Sequence, residues 1–202
     1  MILAYAVLLG LLIVLLRAGL QQRTLQPPPL ESVWIVFVAF VPQWFAFHNP
    51  STGWLLSDQM AAAILVVTQV LLLFFAWRNR SLPGMWALGG GVALNLLVIL
   101  ANGGLMPVSP EVATRLLPEA THTWSIGERL WMTKDVVLPV EAMSLPWLAD
   151  RFLLPEGLPL RSAFSLGDVF IAWGAFRLLW STAEQNQTDD TPISLQPSGE
   201  TQ

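Results

Sequence analysis

The chain has 202 residues, 54% apolar and only 12% charged, against roughly 25% charged in ordinary soluble domains. Its apolar residues are bunched into runs that are apolar all round, and the mean hydropathy of +0.56 agrees, so a soluble amphipathic fold is disfavoured and an integral membrane protein is predicted. The net charge is −4 and there is no Cys, which excludes disulfides, Cys-ligated metal and thiol catalysis; no basic patch interleaved with aromatics points to nucleic acid.

Ten Trp against one Tyr suits a protein whose amphipathic rings sit at headgroup level. The predicted fold is an all-α bundle of five spans, carrying short interfacial helices in a long outer loop. The spans are Met1–Leu16, Val33–Phe47, Gln59–Trp77, Met85–Ala101 and Phe164–Ser181, each near the ~20 residues that cross ~30 Å of hydrocarbon. A cleavable signal peptide is the rival reading of the first. No basic residue precedes its apolar run and Arg17 follows it, which favours an uncleaved anchor.

Arg17 and Arg23 follow span one, Arg78 and Arg80 follow span three, and Arg177 lies near the end of span five. The loop between spans two and three has no basic residue. Positive charge inside therefore predicts an outer N-terminus and a cytoplasmic C-terminus in the plasma or inner membrane. Residues 102–162 then form an outer cap. In it Ser109 and Pro110 start a helix, and "SIGERLWMTKDVV" and "PWLADRFLLP" read as short interfacial helices. Residues 1–183 make the membrane domain. The tail, 184–202, is acidic, Pro/Gly-dotted and predicted to be disordered. No internal repeat suggests an inverted-repeat transporter.

Span four ends on Asn102-Gly103-Gly104, residues that accept the left-handed conformation, and Pro107 prevents the helix from resuming. Asn95 lies seven residues earlier on the same helical stripe. Span five opens on "SLGD", in which Ser165 and Asp168 have capping-box spacing around Gly167. Both ends fall on the outer side, so the Asn102 amide is expected to meet Asp168, with Gly103 and Gly104 letting backbone come close. The candidate site is thus Asn95, Asn102, Gly103, Gly104, Ser165, Gly167 and Asp168. The leading reading is a structural clasp; the alternative is a site for a small polar ligand, headgroup or ion.

"ANGGLMPVS" followed by "FSLGDVFIAWG" resembles an uncharacterised family of small bacterial multi-pass membrane proteins, a domain of unknown function. The similarity spans most of the chain from the first helix to span five. "KDVVLPVE" resembles a Gly-Asp element of that family, with Lys134 where Gly is expected. The resemblance implies location and fold and no activity.

Other constellations read as structural. His48 and His122 lie one in each outer loop, without the third ligand a metal site wants. Asp58 and Asp168 each begin a span, where the helix dipole favours an acid. Gly89-Gly90-Gly91 permits close helix approach, and Pro42 with Gln43 kinks span two. No catalytic residue, metal ligand or cofactor is assigned. The expected function is non-enzymatic, an accessory or scaffold component of a membrane complex, with the bilayer and other membrane proteins as partners. A carrier or sensor using Asn102 and Asp168 comes second, and a lipid-acting enzyme last.

Overall fold

A computed structural model describes residues 8–16, 28–53, 55–118, 124–155 and 161–184. The start of the first span, Arg17, Arg23, His122 and the tail beyond residue 184 lie outside the described residues.

Among the described residues seven α-helical segments follow in order: α1 over residues 8–16, α2 Trp34–Phe47, the single turn α3 Pro50–Gly53, α4 Asp58–Arg78, α5 Met85–Ala101, α6 Pro110–Leu116 and α7 Leu166–Glu184. Their ends follow local chemistry. Ser57 caps α4 by accepting from the Met60 N–H at 3.3 Å, with Asp58 in the first turn and Arg78 in the last, as the helix dipole favours. Ser109 caps α6 in the same way ahead of Pro110.

α5 packs between α4 and α7, and α2 lies against α4. The α5–α7 contact is a glycine seam. A Cβ on Gly174 would come within 2.5 Å of the Leu88 backbone nitrogen, and one on Gly167 within 2.7 Å of the Gly91 carbonyl. Gly84 and Gly91 on one side, and Gly167 and Gly174 on the other, are each seven residues apart, so the two antiparallel backbones touch twice. Of the glycine triplet, Gly91 meets α7, Gly89 meets Ala76 of α4, and Gly90 faces open space. Across α2 and α4 the Gln43 amide donates to Thr68 Oγ1 at 2.7 Å. At the other end of this pair, buried Asn79 donates to the Glu31 carbonyl and accepts the Glu31 N–H, beside an Arg78–Glu31 ion pair of 2.8 Å.

The chain is mostly helical but not all-α. β1, Met106–Val108, pairs in parallel with β2, Asp135–Val137, and β3, Phe152–Leu153, pairs antiparallel with β4, Ala163–Phe164. The expected interfacial helices are absent from both cap segments. Residues 125–137 instead form a turn, a bridge of Arg129 to Val136 and strand β2. Positive φ at Gly127 and Trp131 breaks any helix there, and β-branched Val136 and Val137 suit the ladder. Residues 146–155 give one 3-10 turn, Pro146–Leu148, and then β3.

The five-span count is not carried by helix length. Among the described residues one helix, α4, is long and apolar enough by itself to cross a membrane; α2 and α5 are shorter apolar helices. The most apolar stretch of α4 is only 28% buried, far less than the core helix of a soluble fold. Trp34, Phe37 and Trp86 are among many large apolar side chains left more than 60% exposed.

Candidate functional site

The Asn-Gly-Gly stop turns α5 directly into a buried strand. The Gly104 N–H donates to the Ile99 carbonyl at 2.8 Å, and Gly104, at φ +94, leaves room for α4: a Cβ there would sit 2.7 Å from that of Ala62. Gly103 is also left-handed, but an added Cβ there would meet nothing within 4 Å, so it serves the turn alone. Beyond the turn Met106 donates to the Lys134 carbonyl, and Leu138 donates to Val108. Met106 and Val136 join Leu65, Val98, Ile99 and Leu148 in one core shared by bundle and cap.

Asn102 does not meet Asp168, contrary to expectation. Its Nδ2 donates to the Val98 and Ser144 carbonyls, both at 2.8 Å, and its Oδ1 accepts the Ser144 N–H at 2.9 Å. It clips a cap loop to the end of α5. The amide that reaches Asp168 is Asn95, through Nδ2 to Oδ1 at 2.9 Å. Close contact of Gly167 with Gly91 sets α7 beside the middle of α5 rather than level with its end. Asn95 lies six residues before Ala101, or ~9 Å along the axis.

Asn95, Ser165 and Asp168 form a closed ring of hydrogen bonds. The Ser165 hydroxyl donates to Asn95 Oδ1 at 2.8 Å, the Asp168 N–H donates to Ser165 Oγ at 3.1 Å, and Asp168 Oδ2 accepts the Ser165 N–H at 3.0 Å. The last two contacts are a capping box at the start of α7. Gly167 is the floor of the ring, because a Cβ there would collide with the Asn95 side chain.

A cluster that the sequence reading missed lies in the cap. The Lys134 ammonium is 3.0 Å from Asp135 Oδ1 and also donates to Asp150 Oδ2, while the Asp150 N–H donates to the Pro107 carbonyl at 3.2 Å. Asp150 is 2% exposed and its other oxygen, Oδ1, has no partner. Burial pushes the Asp150 carboxyl up to about 7; Lys134 opposes the rise, and Asp135 and Asp168 add to it. Burial works against the Lys134 charge, but the carboxylates of Asp135, Asp150 and Asp168 outweigh it and hold that ammonium above the usual lysine range. A tethered cation thus occupies the middle of the acidic group. The only signal in the sequence was the Lys-Asp pair itself, since Asp150 is sixteen residues away.

The remaining candidates are engaged elsewhere. Asp58 pairs with Arg129 Nε at 3.2 Å, and the same guanidinium reaches toward the Gly53 and Leu56 carbonyls, pinning the cap to the start of α4. His48 stacks on Trp44 with ring centroids 5.3 Å apart. Among the described residues no three His, Asp or Glu side chains converge on a metal position.

No curated protein and no solved structure matches the chain. The capped bundle, from the residues ahead of α2 to the end region of α7, is instead the extent of one family model, the family of unknown function DUF5317, which matches residues 28–180; the chain belongs to that family.

Proposed function

We propose that this protein is a non-enzymatic multi-pass membrane protein, an accessory or scaffold component of a membrane complex, with its outer cap fastened onto the bundle. The observation that carries the reading is the closed ring of Asn95, Ser165 and Asp168, whose hydrogen bonds are made within the ring. Such an arrangement favours holding two helices over exchanging a ligand. Five spans (α1, α2, α4, α5 and α7) complete the reading, with the N-terminus outside and the acidic residues 184–202 in the cytoplasm. Arg78 and Arg80 at one end of α4 support that orientation. Exposed tryptophans at both ends of the bundle, Trp34, Trp77 and Trp86 at one and Trp44, Trp131 and Trp147 at the other, support the membrane reading in either orientation. The shortness of α5, ~26 Å at 1.5 Å per residue, is made up by β1, which continues it as buried backbone.

A second reading, a ligand- or ion-responsive outer site, draws on one observation: Asp150 Oδ1 is buried without a partner, in a group where Asp135 and Asp150 share one lysine. Two measurements test the primary reading. With no native thiol to interfere, Ser51→Cys should react with an impermeant maleimide on intact cells and Ser81→Cys should not; the reverse pattern inverts the topology. Chemical cross-linking in membranes before gentle solubilisation should give a discrete larger species. Recovery of uncross-linked single chains alone would remove the accessory role.

A further inference from the structure

We propose that the groove between α4 and α5 binds an anionic phospholipid, an acyl chain lying along Val70, Phe74 and Gly90 and the phosphate meeting Arg80. The inference rests on the membrane reading above, which puts the Arg80 end at the cytoplasmic leaflet.

The groove lies beside the close approach of α4 and α5 at Ala76 and Gly89, where an added Cβ would be 3.2 Å from its neighbour, and stays open because Gly90, which also lines it, bears no side chain and an added Cβ there would meet nothing within 4 Å. The space between has a volume of about 410 Å³ and is lined almost wholly by carbon, from Val70, Leu73 and Phe74 on α4 to Trp86 on α5. Trp77 and Trp86 meet edge to face at 6.4 Å and frame its cytoplasmic end, the placement expected of rings at headgroup depth. Arg80 lies over the Trp77 ring at 4.8 Å and donates Nη1 to the Trp77 carbonyl at 3.0 Å. That posture leaves the rest of the guanidinium fork for an oxyanion, which it can hold by charge-assisted hydrogen bonds.

The charge balance selects the ligand. The loop after α4 carries two arginines. Arg78 is neutralised by Glu31 at 2.8 Å, whereas no described carboxylate lies within ion-pair distance of Arg80, the one that lines the groove. A basic side chain at the inner mouth of an apolar crevice between helices matches a lipid phosphate joined to an acyl chain. A transmembrane helix of a partner would fill the apolar part and leave the cation without its anion.

The test uses the full chain purified in mild detergent, with native mass spectrometry reading lipids retained from equimolar phosphatidylglycerol and phosphatidylcholine. Phosphatidylglycerol should be retained about fivefold over phosphatidylcholine, the preference that one basic residue at an anionic surface confers. Arg80→Gln should abolish that preference while some lipid of either kind still binds. Gly90→Leu should displace both lipids, and its folding is checked by an unchanged melting temperature. Equal retention of the two lipids by the unaltered protein overturns the proposal. So does a Gly90→Leu variant that loses self-association or a protein partner and keeps its lipid. Release of the chain from membranes by alkaline carbonate would instead strike the membrane reading, and the groove proposal with it.

Discussion

Replacing Asn95 and Asp168 separately and together measures the ring that holds α5 to α7. Asp168→Leu removes two contacts: the acceptor for the Ser165 N–H and the acceptor for the Asn95 amide. The first is a cap interaction worth about 1 kcal/mol. The second is an interhelical hydrogen bond, about 0.6 kcal/mol on average in membranes and about 1.7 at most. The loss is therefore about 1.6–2.7 kcal/mol, or roughly 3–11 °C in melting temperature at about 2–4 °C per kcal/mol for a chain of this size. Asn95→Leu keeps the branching and heavy-atom count of the side chain and removes the donor to Asp168 and the acceptor for the Ser165 hydroxyl. The double variant should be less destabilised than the two singles added together by about 0.6–1.7 kcal/mol, the energy of the contact they share. Thermal unfolding of the detergent-purified chain reads all four states. Asn102→Leu is the control: its bonds run to Val98 and Ser144, so it should add to Asp168→Leu within about 0.5 kcal/mol. Strict additivity of Asn95→Leu with Asp168→Leu, or coupling of Asn102 in its place, would refute the ring.

Glycine positions separate packing from propensity: Gly167→Ala should be strongly destabilising, because its methyl would collide with Asn95 and crowd the Gly91 carbonyl, whereas Gly90→Ala should be neutral or slightly stabilising. Comparable melting temperatures for the two variants would contradict the seam. Stability should also depend on pH through the cap. Folded Asp150 keeps its proton up to about pH 7 and the unfolded chain releases it near 3.8, so between these values the folded state holds the extra proton. Stability therefore falls as pH rises from about 4 to about 7 and levels off above. Asp150→Asn should flatten that slope in melting curves taken across the range, and an unaltered slope would sink the assignment.

Helix limits were largely legible because they depend on neighbours in sequence. The apolar run expected over 85–101 coincides with α5, and that over 59–77 differs from α4 by one residue at each end. The Ser109-Pro110 start holds for the same local reason. What escaped was long-range. Asn95 and Asn102 share one stripe, and only the depth at which α7 docks decides which of them meets Asp168; that depth is set by glycines more than seventy residues apart. The parallel pairing of β1 with β2 joins strands of three residues, too short to show an alternating pattern. That pairing places Lys134 beside Met106, and the Asp150 N–H bond to the next carbonyl, Pro107, brings the two side chains together, which spacing alone could not reveal.

The seven-residue spacing of glycines on both sides of the α5–α7 contact also governs how this pair can move. Sliding α7 along α5 by one turn would bring side-chain-bearing positions opposite the close approaches made at Gly84, Gly91, Gly167 and Gly174. A shift of seven residues, about 10 Å along the axis, would match only one of the two glycine pairs again. A shift of a full turn is therefore closed to α5 and α7, which are held to one register. Nothing of this kind keys α2 to α4, neither of which contains a glycine; they meet through ordinary side chains, the Gln43–Thr68 bond and, at the other end, the contacts of Glu31 with Asn79 and Arg78.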